Sequence, residues 1–375
     1  MGNVDRQSRP PSIPRRAAGH AEAASGYDPW TLRYQGYDAA EEGLREALCA
    51  VGNGYVVSRG AAPESIADGV HYPGTYLAGC YDRATSFVQG RSVENEDLVN
   101  VPNWLPLTFR AEQGAWLGAP GPCDQAAGIH DQQLELDLRR GVLTRRATVV
   151  DAFGRRTGLV QRRIAHMGQP HLLALETVLV PENWSGRLDI RCAIDGTVAN
   201  TGVARYQGLA DSHLHPVDQG ADGSVLWLQA RARGSPLCIA MAARTEMFQA
   251  GCPLPVARAD SARDGWVAQV ITATAVAGEA VTVQKIVAVF TSRDPAVDDP
   301  LRAARRLVTR AEDFEALLRS HTLRWAQLWR RCRIEADFSE TGPLHLYLFH
   351  LLQTVSEHSA DLDVGVPARG LHGEG

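Results

Sequence analysis

The sequence predicts a mainly β protein, a large antiparallel β-sandwich followed by a short helical section. Three observations predict it. From about Tyr27 to Arg293 apolar residues alternate at period two, broken by Gly, Pro, Asn and Asp at hairpin spacing. No helical period intervenes in that region, which argues against a parallel α/β sheet. From Asp294 the chain turns to Ala, Leu, Arg and Glu arranged with a helical period.

The elements follow in chain order. Residues 1–26 are polar, hold Arg and Pro, and lack the apolar stretch of a secretory leader, while Arg6 stands where a myristoylation motif needs Ser or Thr. They read as a disordered tail of a cytoplasmic protein. Leu143–Val150, Thr157–Ala165 and His171–Val180 are three strands joined by turns at 151–155 and 166–170. Val225–Ala232 pairs with Leu237–Ala243, and Trp266–Ala275 with Val281–Thr291 around Gly278-Glu279. Asp299–Leu328 reads as helix. Leu344, Tyr347, Leu348, Leu351, Leu352 and Val355 fall on one helical stripe, expected to pack on the β domain or on helices not present in this chain, with Pro343 as a start signal. The resulting division is a tail (1–26), a sandwich (27–296), a helical linker (297–336) and a last section (337–375).

Composition narrows the function. The chain has 375 residues, a net charge of −5, 45% hydrophobic and 22% charged residues, which suits one large β domain with an appendage. No apolar stretch approaches the roughly 18 residues of a membrane-spanning helix, and the charge argues against a nucleic-acid surface. Of 38 basic residues 37 are Arg and one, Lys285, is Lys, a bias read as codon composition. The Arg pairs at 139–140, 145–146, 155–156 and 162–163 read as solvated strand edges and turns. Seven scattered cysteines without a C-x-x-C pair suggest a reducing compartment.

Nucleotide-binding loops, H-E-x-x-H and G-x-S-x-G are absent, so no nucleotide cofactor is expected. His213 and His215, flanked by Asp211 and Asp218, read as a polar loop rather than a metal site, which needs three or four ligands. Glu94, Glu96 and Asp97 read as a solvated loop. Asn183-Trp184-Ser185 is a formal sequon without relevance in a cytoplasmic protein. Trp104, Trp116 and Tyr76 could stack on a sugar, although core aromatics are the weightier reading.

Three segments carry more information: Gly52-Asn53-Gly54-Tyr55 through Arg59-Gly60, Tyr72-Pro73-Gly74-Thr75-Tyr76 through Gly79, and Asp97-Leu98-Val99-Asn100 through Asn103-Trp104-Leu105. Their Asn-Gly and Pro-Gly pairs demand tight turns, and structural corners are the first reading, ligand contacts the second. In this order, and with Arg324-Trp325, Phe349-His350-Leu351-Leu352-Gln353 and Pro367-Ala368-Arg369-Gly370-Leu371 downstream, they resemble the N-terminal part of glycoside hydrolase family 65. That family contains inverting phosphorylases of α-glucosyl disaccharides (maltose, trehalose, kojibiose) and acid trehalases.

The resemblance implies a sandwich, a helical linker and the truncated start of an (α/α)6 barrel at 337–375. It implies an α-glucosyl disaccharide as substrate, inorganic phosphate as co-substrate in the phosphorylases, no other cofactor or metal, and homodimers as a common assembly. The catalytic Glu of the family has no counterpart here and is expected downstream of Gly375. No catalytic residue is therefore assigned, and the chain by itself is expected to be inactive. A hydrolase would need a second carboxylate to activate water. An acid-trehalase-like hydrolase or a non-catalytic carbohydrate-binding or assembly module stay open as alternatives. Arg369, His372 and Glu374 are candidates for approaching the sugar site. Asn53, Gly54, Arg59, Gly60, Pro73, Gly74, Thr75, Tyr76, Asn100 and Trp104 are the structural motif residues.

Overall fold

The computed structural model describes residues 28–119, 127–202, 209–332, 334, 338–362, 364–365 and 370–371. The stretch 1–26, expected to be a disordered tail, lies outside them. The first elements are β1 (Thr31–Gln35), α1 (Glu42–Leu48), β2 (Val51–Gly52), β3 (Val56–Ser58), β4 (Thr75–Val88), β5 (Arg91–Asn100) and β6 (Leu107–Ala111). Next come β7 (Gly128–Asp137), β8 (Val142–Val150), β9 (Arg156–Ala165), β10 (Leu172–Pro181) and β11 (Gly186–Asp195). They are followed by β12 (Leu214–Asp222), β13 (Val225–Ala232), β14 (Cys238–Gln249), β15 (Cys252–Pro253), β16 (Ala257–Arg263), β17 (Trp266–Ala275) and β18 (Val281–Thr291). Three helices end the series: α2 (Pro300–Arg310), α3 (Phe314–Arg331) and α4 (Phe338–Leu352). Among the described residues no helix is long and apolar enough to cross a membrane.

Ten strands make one antiparallel sheet in the order β1-β7-β8-β9-β10-β18-β14-β13-β12, with β15 beside β14. The four-stranded sheet β16-β17-β11-β6 lies against it, and β2-β3-β4-β5 forms a third sheet. Their inner faces share one core, in which Ile190, Cys192, Ile194, Val267 and Ile271 meet Leu228, Met241, Val283 and Val287. The expected strands at 143–150, 157–165, 171–180, 225–232, 266–275 and 281–291 agree with β8, β9, β10, β13, β17 and β18 to within one residue. β14 runs to Gln249, past the expected end at Ala243.

β10 and β18 are buried on both faces, which is why they read as nearly continuous apolar runs. Leu173, Leu175, Val283 and Val287 point into the sandwich. Leu172, Ala174, Ile286 and Ala288 point outward under Ala304, Val308, Phe314, Leu317 and Leu318 of α2 and α3. Fully burying a side chain such as Phe314 contributes about 2–3 kcal/mol.

The single helix expected over 299–328 is two. Asp299 accepts from the Arg302 N–H with Pro300 in the first turn, and Asp313 accepts from the Ala316 N–H, so each helix has its own N-cap. Between them the Arg244 guanidinium donates to the carbonyls of Thr309 (3.1 Å) and Ala311 (2.9 Å) and stops α2. α4 also departs from expectation. It starts five residues before Pro343, which lies inside it. His345 and Phe349 within it, and Gln353 just past its end, are buried, whereas Tyr347 (70% exposed), Leu351 (53%) and Val355 (43%) of the apolar stripe face outward.

Two surface readings need correction. Arg145 and Arg163 are buried rather than solvated. Arg145 is paired with Glu64 at 2.7 Å and donates to Gln161 at 3.1 Å, and burial lowers Arg163 to about 10. The acidic segment is the strand β5, not a loop, so its side chains alternate: Glu94 and Glu96 are exposed and Asp97 is buried.

Candidate functional site

The three motif segments converge. Asn53 spends its whole amide on backbone: Oδ1 accepts from the N–H of Tyr55 (3.0 Å) and Val56 (2.9 Å), and Nδ2 donates to the carbonyls of His166 (3.1 Å) and Pro170 (3.0 Å). This ties the tight turn at Gly54 (φ +89°) to the β9–β10 connection. Arg59 donates to the carbonyls of Tyr72 (3.1 Å) and Gly43 (2.9 Å), locking the first segment to the second. Gly60 donates to Glu46 O at 2.6 Å, and a Cβ there would meet Cys49. Gly74, following Pro73, is similarly confined by Tyr76 and Arg59.

The third segment completes the corner. Asn100 Oδ1 accepts from Thr75 N–H at 3.0 Å, and its Nδ2 donates to Ala199 O at 3.1 Å. Tyr72 donates to the same carbonyl at 2.9 Å. Trp104 is fully buried and donates to Ser58 Oγ at 3.1 Å, and Tyr76 is fully buried as well. Both are core aromatics and offer no face to a sugar. Trp116 is half-buried, its ring 4.5 Å from the Arg110 guanidinium and 4.6 Å from that of Arg191.

This corner holds the far end of the chain. Ser356 Oγ donates to Asn53 O at 2.7 Å, Gln353 donates to Ala50 O at 3.3 Å, and Leu371 is buried with Ala50, Val57, Tyr76, Ala78 and Leu98. His358 Nε2 bonds to Met167 O at 2.7 Å. Gly79 (φ +73°) leaves room for Val364. The three segments thus bond to one another and hold Gln353, Ser356, Val364 and Leu371 against the sandwich. Arg369, His372 and Glu374, the candidates for approaching the sugar, lie outside the described residues. So does Gly375.

Two polar groups were not legible as pairs. His213 is buried between Asp82 (Nδ1 to Oδ2, 3.3 Å) and Asp97 (Nε2 to Oδ2, 3.1 Å). Burial opposes its charge, but the bonds to Asp97 and Asp82 outweigh it and raise its pKa. Both ring nitrogens are therefore spent on carboxylates, and among the described residues no cluster is placed to hold a metal. Lys285 crosses the core from β18 and donates to Ala193 O (2.7 Å) and Pro106 O (3.0 Å), fully buried. Burial lowers it to about 8. A lone charged residue inside the apolar run of β18 was the available signal.

Comparison with known proteins fits this arrangement. The family model "Glycosyl hydrolase family 65, N-terminal domain" matches residues 32–328. An uncharacterized glycosyl hydrolase of Mycobacterium tuberculosis is 44% identical over 359 residues, covering 94% of this chain and 26% of that protein. A trehalose 6-phosphate phosphorylase of Lactococcus lactis is 28% identical, covering 92% of this chain and 43% of its own. A kojibiose phosphorylase of Caldanaerobacter subterraneus is 26% identical, covering 94% and 45%. The solved structure of a putative kojibiose phosphorylase from human microbiome superimposes with a TM-score of 0.75 at 15% identity, over 92% of this chain and 44% of that one. The chain spans less than half the length of each of these relatives.

Proposed function

The chain belongs to glycoside hydrolase family 65, and from that premise we propose that it supplies the sandwich and the first barrel helix of an inverting α-glucosyl disaccharide phosphorylase of the maltose, trehalose or kojibiose type. One observation carries the reading. α4 is docked on the sandwich by His345, Phe349 and Gln353, yet leaves Tyr347, Leu351 and Val355 as an exposed apolar stripe. A helix with one face on the sandwich and an apolar face outward suits the inner position of an (α/α)6 barrel, whose other helices would cover that stripe. The motif corner then serves to set the angle and register at which the barrel begins.

In the reaction so assigned, a carboxylic acid of the barrel protonates the glycosidic oxygen while phosphate attacks the anomeric carbon from the opposite face. The C–O bond to the leaving sugar breaks as the C–O bond to phosphate forms, giving inverted glucose 1-phosphate and a free sugar. Phosphate is itself the anionic nucleophile, so no second carboxylate has to activate water. The phosphorylase names among the relatives support this choice, and a cytoplasmic setting suits a reaction that consumes phosphate.

The test joins this chain to the region that follows the matching segment in the Mycobacterium tuberculosis relative. The fused protein should release glucose 1-phosphate from at least one of maltose, trehalose, kojibiose or trehalose 6-phosphate, only with phosphate present. The 375-residue chain alone should release none. Glucose release independent of phosphate would replace the phosphorylase reading by a hydrolase, and turnover by the chain alone would refute the division of labour.

A further inference from the structure

A second feature stands apart from α4 and does not depend on that reading. Ile190, Cys192 and Ile194 of β11 point into the core, so Arg191, Ala193 and Asp195 point outward. There they line a cleft of about 500 Å³ with Trp266, Arg263 and Tyr72. Its volume lies in the range of small-molecule sites, which are roughly 300–1,000 Å³.

The charges around this cleft are not balanced. Among the described residues neither Arg191 nor Arg263 has a carboxylate partner or a side-chain hydrogen bond. Their guanidinium groups lie instead on the rings of Trp116 (4.6 Å) and Trp266 (4.9 Å). Beneath the floor sits Lys285, whose two acceptors, the carbonyls of Ala193 and Pro106, belong to residues that line the cleft. Among the described residues it too has no carboxylate. Burial, followed by the proximity of Arg110, which is itself paired with Asp189 at 3.1 Å, and of Arg263, lowers the pKa of Arg191. Two carboxylates share the lining. Glu64 is neutralised by Arg145, and Asp195 accepts from the N–H (2.9 Å) and hydroxyl (2.6 Å) of Thr197.

We propose that this cleft binds a sugar phosphate, with Arg191 and Arg263 donating to the phosphoryl oxygens above the fixed charge of Lys285, and Asp195 and Thr197 meeting sugar hydroxyls. Guanidinium groups are the side chains best suited to phosphoryl oxygens, because their paired N–H donors match two oxygens at once. The apolar flanks of Tyr72, Pro73 and Trp266 suit the C–H face of a sugar ring. A bare phosphate would leave most of the cleft empty, and the overall charge of −5 disfavours a nucleic acid.

Isothermal titration of the 375-residue chain with glucose 6-phosphate, glucose 1-phosphate, inorganic phosphate and glucose tests the proposal. Saturable binding of at least one sugar phosphate is expected, about tenfold or more tighter than inorganic phosphate, with no binding of glucose. Arg191→Gln and Arg263→Gln, both at partly or fully exposed positions, should each weaken it about tenfold or more, the worth of one charge-assisted hydrogen bond, with the melting temperature nearly unchanged. Binding of inorganic phosphate as tight as that of the sugar phosphates would overturn the sugar part of the assignment. Absence of saturation by either sugar phosphate up to about 10 mM, or full affinity in the double variant, would overturn the whole.

Discussion

Gly54 and Ser356 stand so close that a Cβ added to Gly54 would lie 2.6 Å from the Ser356 Cβ and nearer still to its hydroxyl. Gly54 also has φ +89°, where an L side chain is strained by about 1–2 kcal/mol. Gly54→Ala should therefore push Ser356 away from Asn53 O and loosen the segment after α4. Amide exchange across 353–362 should quicken and the urea midpoint should fall. Ser356→Gly in the same chain should restore the packing while leaving the backbone strain. Unaltered exchange in Gly54→Ala would contradict the docking role of this corner.

Lys285 makes stability rise on the alkaline side. Its folded pKa of about 8 lies below the ordinary value of 10.5, so between the two the unfolded chain holds more protons than the folded one. Stability should climb across that window by a total of about 3 kcal/mol. Urea midpoints between about pH 8 and 9.5 should show the climb in the native chain and lose it in Lys285→Met. Lys285→Arg, which cannot shed its proton, should destabilise by about 3 kcal/mol or more. Parallel profiles for the native chain and Lys285→Met would refute this account.

The acid side is governed by a histidine pair that straps α3 to the β9–β10 connection. His321 Nδ1 accepts from Met167 N–H at 3.0 Å, and His166 Nδ1 accepts from Gly168 (3.0 Å) and Gln169 (2.9 Å). Burial, then the neighbouring His166, holds His321 at about 3, and burial holds His166 at about 4. Both are neutral in the fold, whereas in the unfolded chain they take protons near 6.5. Stability should accordingly be complete above about pH 6.5 and drain away as pH falls toward about 4 and then 3. A flatter acid limb in His321→Gln than in the native chain is expected from chemical denaturation, and an identical one would count against it.

His213 should act with the opposite sign. Its raised pKa means that its contribution is present below about 6.5 and is lost as pH rises through the folded value. His213→Gln leaves Asp82 and Asp97 buried without their cation and should cost about 3–5 kcal/mol near pH 6, less at higher pH. Nitrogen-15 shifts followed through a pH titration should show both imidazole nitrogens of His213 holding their protons to higher pH than a free imidazole does. Loss of the proton at or below the ordinary histidine range would refute the assignment.

Six of the eighteen described strands were legible to within one residue because alternation and turn chemistry are local. β8, β9, β10, β13, β17 and β18 lie where hydrophobic period and the turns at 151–155 and 278–279 place them. The family resemblance rested on motif corners whose glycines meet local needs: positive φ at Gly54 and Gly79, close approach at Gly60 and Gly74. The helix break at 311–313 was less legible because half of its cause, Arg244, comes from β14.

What the sequence determined by itself was the antiparallel β class, the hairpin order and the corner residues, since these depend on neighbours a few positions apart. Which charges are buried, which face of α4 is docked and where cations gather were decided only by tertiary structure. Arg145 and His213 look like surface residues in the sequence and Lys285 stands inside an apolar run, and each is internal with a partner from a distant strand or loop, Glu64, Asp82 or Ala193, opposite it. The energy of a buried charge is set by the groups within a few ångströms in space, and no local period in a chain records them.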